Sequence, residues 1–232
     1  MQNIVELKQV YKDYPQAGSL QTVLHGIDLQ IAPGEFVAIV GPSGNGKSTL
    51  LNLITGIDHP SRGAVTVNGT ALHTLGQEKL SAWRGANVGI VFQFFQLLPA
   101  LNLLQNILLP MDFLGKLNKH QRQHRAMELL ERMGLADAAL RLPSQVSGGQ
   151  QQRAAIARAM ANDPPLIVAD EPTGNLDAAT ADAVFDVFSH LRDQGKTLLM
   201  VTHNEALADA ASRKLEIRSG RIHVDSHSFG QP

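Results

Sequence analysis

Residues 35–56 read "EFVAIVGPSGNGKSTLLNLITG". The run "EFVAIV" (35–40) is short, nearly continuously apolar and ends at a glycine, the pattern of a strand buried on both faces. "GKSTLLNLITG" (46–56) then reads as a helix closed by Gly56. Between them, the glycines of "GPSGNGKST" (41–49) allow backbone N–H groups to converge, and the helix N-terminus adds its dipole. A strand that enters and a helix that leaves is the context of a phosphate-binding loop. Its candidate nucleotide contacts are Gly41, Pro42, Ser43, Gly44, Asn45, Gly46, Lys47, Ser48 and Thr49. Lys47 is expected to reach the β- and γ-phosphates, and Ser48 to ligate Mg²⁺. Asn45 stands where serine or alanine is more usual; asparagine tolerates left-handed backbone, so the loop is expected to survive it.

A nucleoside triphosphate site of this kind needs an acid for its metal. "LIVADE" (166–171) supplies four apolar residues followed by two carboxylates. Carboxylates ending a buried strand need a cation or a proton-transfer role to offset their burial. Asp170 is expected to hold Mg²⁺, and Glu171 to act as general base on the attacking water. His203 ends another apolar run, "LLMVTH". Strand ends on one edge of an open α/β sheet share a crevice, so His203 is expected beside the γ-phosphate or the water.

The other elements follow the same grammar. "IVELKQV" (4–10) and "IDLQI" (27–31) read as strands, and "GAVTVNG" (63–69) as half of a hairpin turning at Asn68-Gly69. The first ninety residues are therefore strand-rich. From 102 to 161 the pattern is helical throughout, with Asn102 and Gln105 as N-cap and N3 of one helix and a second helix at 119–134 stopping at Gly134. From 166 strands and helices alternate again, ending in a hairpin, "RKLEIRSGRIHV" (213–224). The expected organisation is one domain over 1–232: an α/β core from 1–93 and 162–225, a helical insertion at 94–161, and a frayed tail at 226–232.

Composition narrows the function classes. A chain of 232 residues with 44% hydrophobic and 18% charged residues is an ordinary globular one. The formal net charge of −1 gives no overall attraction to nucleic acid. No cysteine is present, which excludes disulfides, thiolate catalysis and cysteine zinc sites. No stretch approaches the ~18 consecutive apolar residues of a transmembrane helix, so a membrane role is expected to run through a partner. The N-terminal "MQNIVELKQV" lacks the uninterrupted apolar run of a signal peptide.

One motif remains: "VSGGQQQR" (146–153) puts a second glycine pair directly before a helical stretch. Paired glycines cost stability unless something must approach the backbone closely. Taken in order, "GPSGNGKST", "VSGGQ", "LIVADE", "EPTGNLD" and "VTH" resemble the nucleotide-binding domain of ABC (ATP-binding cassette) proteins, from about residue 3 to 225. The resemblance implies a P-loop core with a mixed sheet, an antiparallel β subdomain and a helical signature subdomain. It implies a homodimer in which two copies pack head to tail and each ATP lies between the P-loop of one and the signature of the other. Ser147, Gly148, Gly149 and Gln150 would then contact the other copy's ATP. Tyr14 resembles the aromatic that stacks on adenine, with Tyr11 a weaker candidate. Gln93 resembles the glutamine that reaches Mg²⁺ and the attacking water. Asn175, Leu176 and Asp177 resemble the loop coupling the two sites. Val146 in place of leucine, and Asn204 where aspartate is frequent, depart from the family pattern.

The implied activity is Mg²⁺-dependent ATP hydrolysis by a peripheral subunit on the cytoplasmic face of a membrane. The permease subunit that it powers would dock near Gln93–Leu98. There Phe94, Phe95, Leu97 and Leu98 are either a docking floor or the core of the helical insertion. "FQFFQLLPALNLLQNILLP" and "ADEPTGNLD" most resemble the LolD/MacB/FtsE-like subgroup, whose members transmit force for lipoprotein release, efflux or cell-wall control. An amino-acid-type importer ATPase is the alternative, and a non-transport ABC ATPase a more distant one.

Overall fold

In the computed structural model, residues 2–16 and 18–227 are described. Two sheets share the chain. Strands β1 (Val5–Gln16), β2 (Ser19–Ile31), β4 (Arg62–Val67) and β5 (Thr70–Ala71) form an antiparallel sheet in the order β2-β1-β4-β5. At the β4–β5 turn, Asn68 and Gly69 take φ of 45° and 72°, the left-handed pair that a tight hairpin requires.

The second sheet holds six strands in the order β10-β9-β3-β8-β7-β6. Its members are β3 (Phe36–Val40), β6 (Val88–Val91), β7 (Leu166–Asp170), β8 (Thr197–Val201), β9 (Arg213–Arg218) and β10 (Arg221–His227). Five run parallel, and β10 returns antiparallel to β9. The period of two along each buried strand sorts its side chains between two cores. Val37, Ile39, Val168, Leu199 and Val201 join the core under the antiparallel sheet and α1 (Lys47–Ile54). Phe36, Ile167, Leu198 and Met200 point the other way, into a core shared with the helical region.

That helical region contains α3 (Leu103–Leu114), α4 (Lys119–Arg132) and α5 (Gly148–Ala159). Each begins in a reciprocal capping box: Asn102 with Gln105, Asn118 with Gln121, Ser147 with Gln150. Helices α6 (Ala178–Asp193) and α7 (Glu205–Asp209) flank β8. Asn204 caps α7 by accepting from the Leu207 N–H at 3.1 Å, so this departure from the family pattern has a local task.

Two expectations are corrected. The strand-rich N-terminal stretch also contains a helix, α2 (Gln77–Asn87), which buries only Leu80 and so shows no apolar stripe in sequence. The frayed tail expected from 226 is contradicted at its first two residues, which belong to β10. Ser226 lies in β10, and its hydroxyl accepts from the Lys214 N–H at 3.0 Å. Residues 228–232 lie outside the described residues.

Candidate functional site

The parallel order β3-β8-β7 brings three strand ends to one edge: the glycine loop after β3, His203 after β8, and Asp170-Glu171 at the end of β7. The loop enters α1 through Gly46, whose φ of 93° only glycine adopts easily, and no side chain caps the helix. The first-turn N–H groups of α1 are thus left for an anion. Gly41 is equally constrained, since a Cβ there would stand 2.1 Å from the Ile217 carbonyl oxygen.

Asn45 behaves differently from its expectation. The positive-φ residues of the loop are Gly41, Gly44 and Gly46, while Asn45 has no positive φ. Its side chain instead accepts from the Ser219 N–H at 2.6 Å and donates to the Pro42 and Ser43 carbonyls at 3.1 and 3.0 Å. The loop is thereby tied to the β9–β10 turn.

Lys47 is buried, and its ammonium donates to the Gly41 and Pro42 carbonyls at 2.8 and 2.9 Å. Burial holds its pKa below the ordinary lysine value, against the pull of Glu171 and Asp170. Burial likewise raises Asp170, reinforced by Glu171 and opposed by a hydrogen bond to Ser48 and by the Lys47 charge. Both groups are displaced toward neutrality. Desolvation outweighs their mutual attraction, which leaves a site with charge to accommodate.

Glu171 sits in left-handed backbone, φ 46°, with its N–H bonded to the Val201 carbonyl at 2.9 Å. A non-glycine residue held in that region is strained and needs its surroundings to fix it. Its carboxylate Oε1 lies 3.1 Å from His203 Nε2. The same carboxylate and the Gln93 amide converge on Gly174, where an added Cβ would stand 3.4 and 3.2 Å from Glu171 Oε2 and Gln93 Nε2. Asn175 donates to the Gln93 carbonyl at 3.1 Å, joining the loop after β7 to the loop after β6. Asp177 caps α6, its carboxylate accepting from the Thr180 N–H and hydroxyl at 3.0 and 2.8 Å. Leu176 packs into the second core.

Tyr14 lies at the rim of the phosphate loop. Its hydroxyl donates to Asp58 at 2.8 Å, and the Lys12 ammonium stands 4.7 Å from its ring centroid. Burial, then the Asp58 hydrogen bond and charge, raise the Tyr14 pKa, opposed by a hydrogen bond with Thr49. Tyr11 is already engaged: Arg62 lies 4.2 Å over its ring, and its hydroxyl fills the space beside Gly26.

Ser147, Gly148, Gly149 and Gln150 open α5 away from the phosphate loop's own contacts. Ser147 Oγ accepts from the Gln150 N–H at 3.3 Å, and Gln150 Oε1 accepts from the Ser147 N–H at 2.9 Å. The capping box therefore consumes two donors, and those of Gly148 and Gly149 have no acceptor among the described residues and can meet an anion. The two glycines differ. Gly148 is exposed with only ordinary contacts around it, whereas Gly149 is buried against Thr180.

Of the apolar residues after Gln93, Phe94 and Leu98 are 68% and 45% exposed, while Leu97 packs into the second core. The core reading thus holds for Leu97, while Phe94 and Leu98 lie at the surface. Sequence reasoning missed two supports. Arg158 on α5 donates to the carbonyls of Phe95 and Gln96, whose φ are 56° and 52°. Asn106, fully buried, accepts from the Leu98 N–H and donates to three carbonyls, one of them Leu98's. An asparagine inside the apolar pattern of α3 was the available signal.

Comparison with known proteins follows the same lines. A family model described as ABC transporter matches residues 24–174. An uncharacterized ABC transporter ATP-binding protein of Bacillus subtilis, YknY, is 46% identical over 94% of this chain and 95% of its own. The lipoprotein-releasing system ATP-binding protein LolD of Bacteroides thetaiotaomicron is 44% identical, with 96% and 100% covered. The macrolide export ATP-binding/permease protein MacB of Syntrophobacter fumaroxidans is 41% identical over 98% of this chain, which spans 32% of that longer protein. Among solved structures, the dimeric post-hydrolysis state of the ATP-binding cassette MJ0796 bound to ADP and Pi superposes with a TM-score of 0.91 at 39% identity, covering 98% of this chain and 100% of that one.

Proposed function

This chain belongs to the ABC transporter family as an ATP-binding, ATP-hydrolysing cassette, and from that premise we propose that two copies close head to tail around ATP and Mg²⁺ to drive a force-transmitting membrane permease. The observation that carries the reading is the split of the phosphate-binding groups. One set, the open first turn of α1 with Lys47, stands beside Glu171 and His203. The other, the N–H groups of Gly148 and Gly149 at the start of α5, has no hydrogen-bond acceptor among the described residues. A second copy supplies one.

In each site Lys47 exchanges its two carbonyl partners for β- and γ-phosphate oxygens, a charge-assisted replacement. The Ser48 hydroxyl and the Asp170 carboxylate, already hydrogen-bonded to each other, are a donor set suited to Mg²⁺, and the Gln93 amide lies on the Glu171 side of the site. The ion, when bound, would offset charge on the phosphates. Glu171 accepts a proton from the attacking water, while His203 holds that carboxylate in position. Gln93 orients the water from the opposite side, and Tyr14 offers the ring face not covered by Lys12 to adenine. Little covalent chemistry falls to the chain; positioning and charge stabilisation carry the rate.

The similarity to LolD and MacB supports the lipoprotein-release or efflux type. No described helix is long and apolar enough to cross a membrane. In this reading the permease holds the chain at the cytoplasmic face. The test is affinity purification of the tagged chain from detergent-solubilised membranes, with mass spectrometry of what accompanies it. A permease with four transmembrane helices and a large extracytoplasmic domain is expected. A many-helix permease with a solute-binding protein overturns the force-transmitting reading, and reproducible absence of any membrane protein overturns the permease reading itself.

A further inference from the structure

Gln152 lies one turn into α5, beyond Gly148, and is completely buried. Its Nε2 donates to the Pro172 carbonyl at 2.7 Å. Its amide oxygen, also buried, has no hydrogen-bond partner among the described residues. Burying a polar atom without a partner is unfavourable, and methionine or leucine would fill the same space without doing so. Packing therefore does not account for a glutamine here. Its N–H donor does, because that group reaches another part of the chain.

What it reaches is the turn that carries Glu171. Pro172 directly follows that residue, is itself buried and has no N–H with which to anchor its own position. Among the described residues no other donor meets its carbonyl. The Glu171 N–H is bonded to the Val201 carbonyl at 2.9 Å, and the Glu171 carbonyl accepts from the Gly174 N–H at 3.1 Å. Between those two bonds Glu171 stays in left-handed backbone, φ 46°, which only its surroundings can maintain. The Gln152–Pro172 bond ties this strained turn to the packed body of α5.

We propose that Gln152 is a positioning residue for hydrolysis: by fixing the peptide after Glu171 it aims the Glu171 carboxylate at the attacking water. The inference rests on the reading of Glu171 as general base and adds the residue that holds it from the backbone side. His203 meets the same carboxylate at 3.1 Å, but a contact at the end of the side chain does not set the backbone beneath it. Without the tie to Pro172 the turn relaxes and the carboxylate swings away from the water. The phosphate loop stands on β3 and α1 and is not touched by Gln152, so nucleotide binding and turnover separate.

The test compares variants of the purified full chain by ATPase kinetics and calorimetric ATP titration. Gln152→Met keeps the length of the side chain and removes its N–H donor. It is expected to lower kcat roughly ten- to hundredfold, the loss that a small misplacement of a reacting group produces, with the ATP Kd changed less than about twofold. In a Glu171→Gln background the same substitution is expected to cost nothing further, since no base remains to be misplaced. A residue that merely holds the core would lose ATP binding together with turnover. Gln152→Glu supplies a donor only while its carboxyl is protonated, and burial raises that pKa. Its kcat relative to the unsubstituted chain is expected to be highest at low pH and to fall as pH rises, while ATP binding is retained. Unchanged kcat in Gln152→Met, or an equal further loss in the Glu171→Gln background, overturns the positioning role and leaves Glu171 as the base. If Gln152→Met loses ATP binding, the profile of Gln152→Glu decides alone, and a ratio independent of pH overturns the role. Loss of ATP binding by both variants makes Gln152 a residue of the fold and overturns it as well. Hydrolysis by Glu171→Gln at the unsubstituted rate overturns the base reading, and this inference with it.

Discussion

Gly149 and Thr180 are packed so closely that a Cβ on the glycine would stand 2.1 Å from Thr180 Cγ2. The second glycine of the signature is therefore required by its own chain, where α5 meets the start of α6. Gly149→Ala is expected to destabilise the monomer by about 1–3 kcal/mol, the usual cost of overpacking. Thr180→Ser removes the offending methyl but keeps the hydroxyl that donates to Asp177 at 2.8 Å. The double variant should recover most of the loss in urea unfolding. Equal stability of Gly149→Ala and the unsubstituted chain contradicts this assignment.

Gly148 has the opposite character. A Cβ there meets Phe95 and Leu176 at 3.7 and 3.9 Å, ordinary contact distances. Gly148→Asp is accordingly expected to fold and to bind ATP as before. It should lose ATP-driven dimerisation, because a carboxylate then faces the other copy's phosphates. Calorimetric ATP titration and light scattering on the same sample separate the two effects.

Asp170 is a group whose burial works against its charge. Asp170→Asn removes that charge while leaving an oxygen for the Ser48 hydroxyl. The nucleotide-free variant is expected to melt about 2–4 °C higher, the shift that roughly 1 kcal/mol gives a chain of this size. Its ATPase activity should fall by at least a hundredfold. Lower stability together with lost activity would mean that Asp170 holds the fold and not the cation.

At the rim, Asp58 anchors Tyr14. Burial raises the Asp58 pKa, but hydrogen bonds from Lys12, Tyr14 and the His59 N–H, with the Lys12 charge, leave it below the ordinary value. A depressed carboxylate contributes stability that is present above the unfolded pKa and is lost as pH falls through the folded one. The stability gap between the unsubstituted chain and Asp58→Asn should thus be full near pH 7 and close as the solution becomes more acid than the ordinary aspartate pKa. Tyr14→Ala is expected to weaken ATP binding about five- to tenfold, and Tyr14→Phe by less than threefold, since the ring survives.

Much of this was legible in the sequence because the signals were local. The phosphate loop announces itself through a strand that ends and a helix that starts, and Asp170-Glu171 through the apolar run before them. What stayed hidden depends on partners far along the chain. Asn45 reads as a backbone substitution until Ser219, in a turn 174 positions away, is found donating to it. Gly149 reads as a ligand contact alone until Thr180 is seen against it, which gives the glycine a second reason within its own chain. Helix α2 was missed because it buries Leu80 alone and so carries no periodic stripe. Arg158 looked like one more basic residue on α5, since nothing in its neighbours foretells the two carbonyls that it holds.

The central claim is that the site becomes whole only when two copies close on ATP, with Glu171 as the base. Glu171→Gln keeps the shape of the side chain and removes its proton affinity. Size-exclusion chromatography with light scattering at saturating ATP and Mg²⁺ is the direct measurement. The claim predicts a stable dimer retaining two ATP molecules and turning over at least a hundredfold more slowly than the unsubstituted chain. A variant that stays monomeric at saturating ATP, or that hydrolyses at the unsubstituted rate, contradicts it.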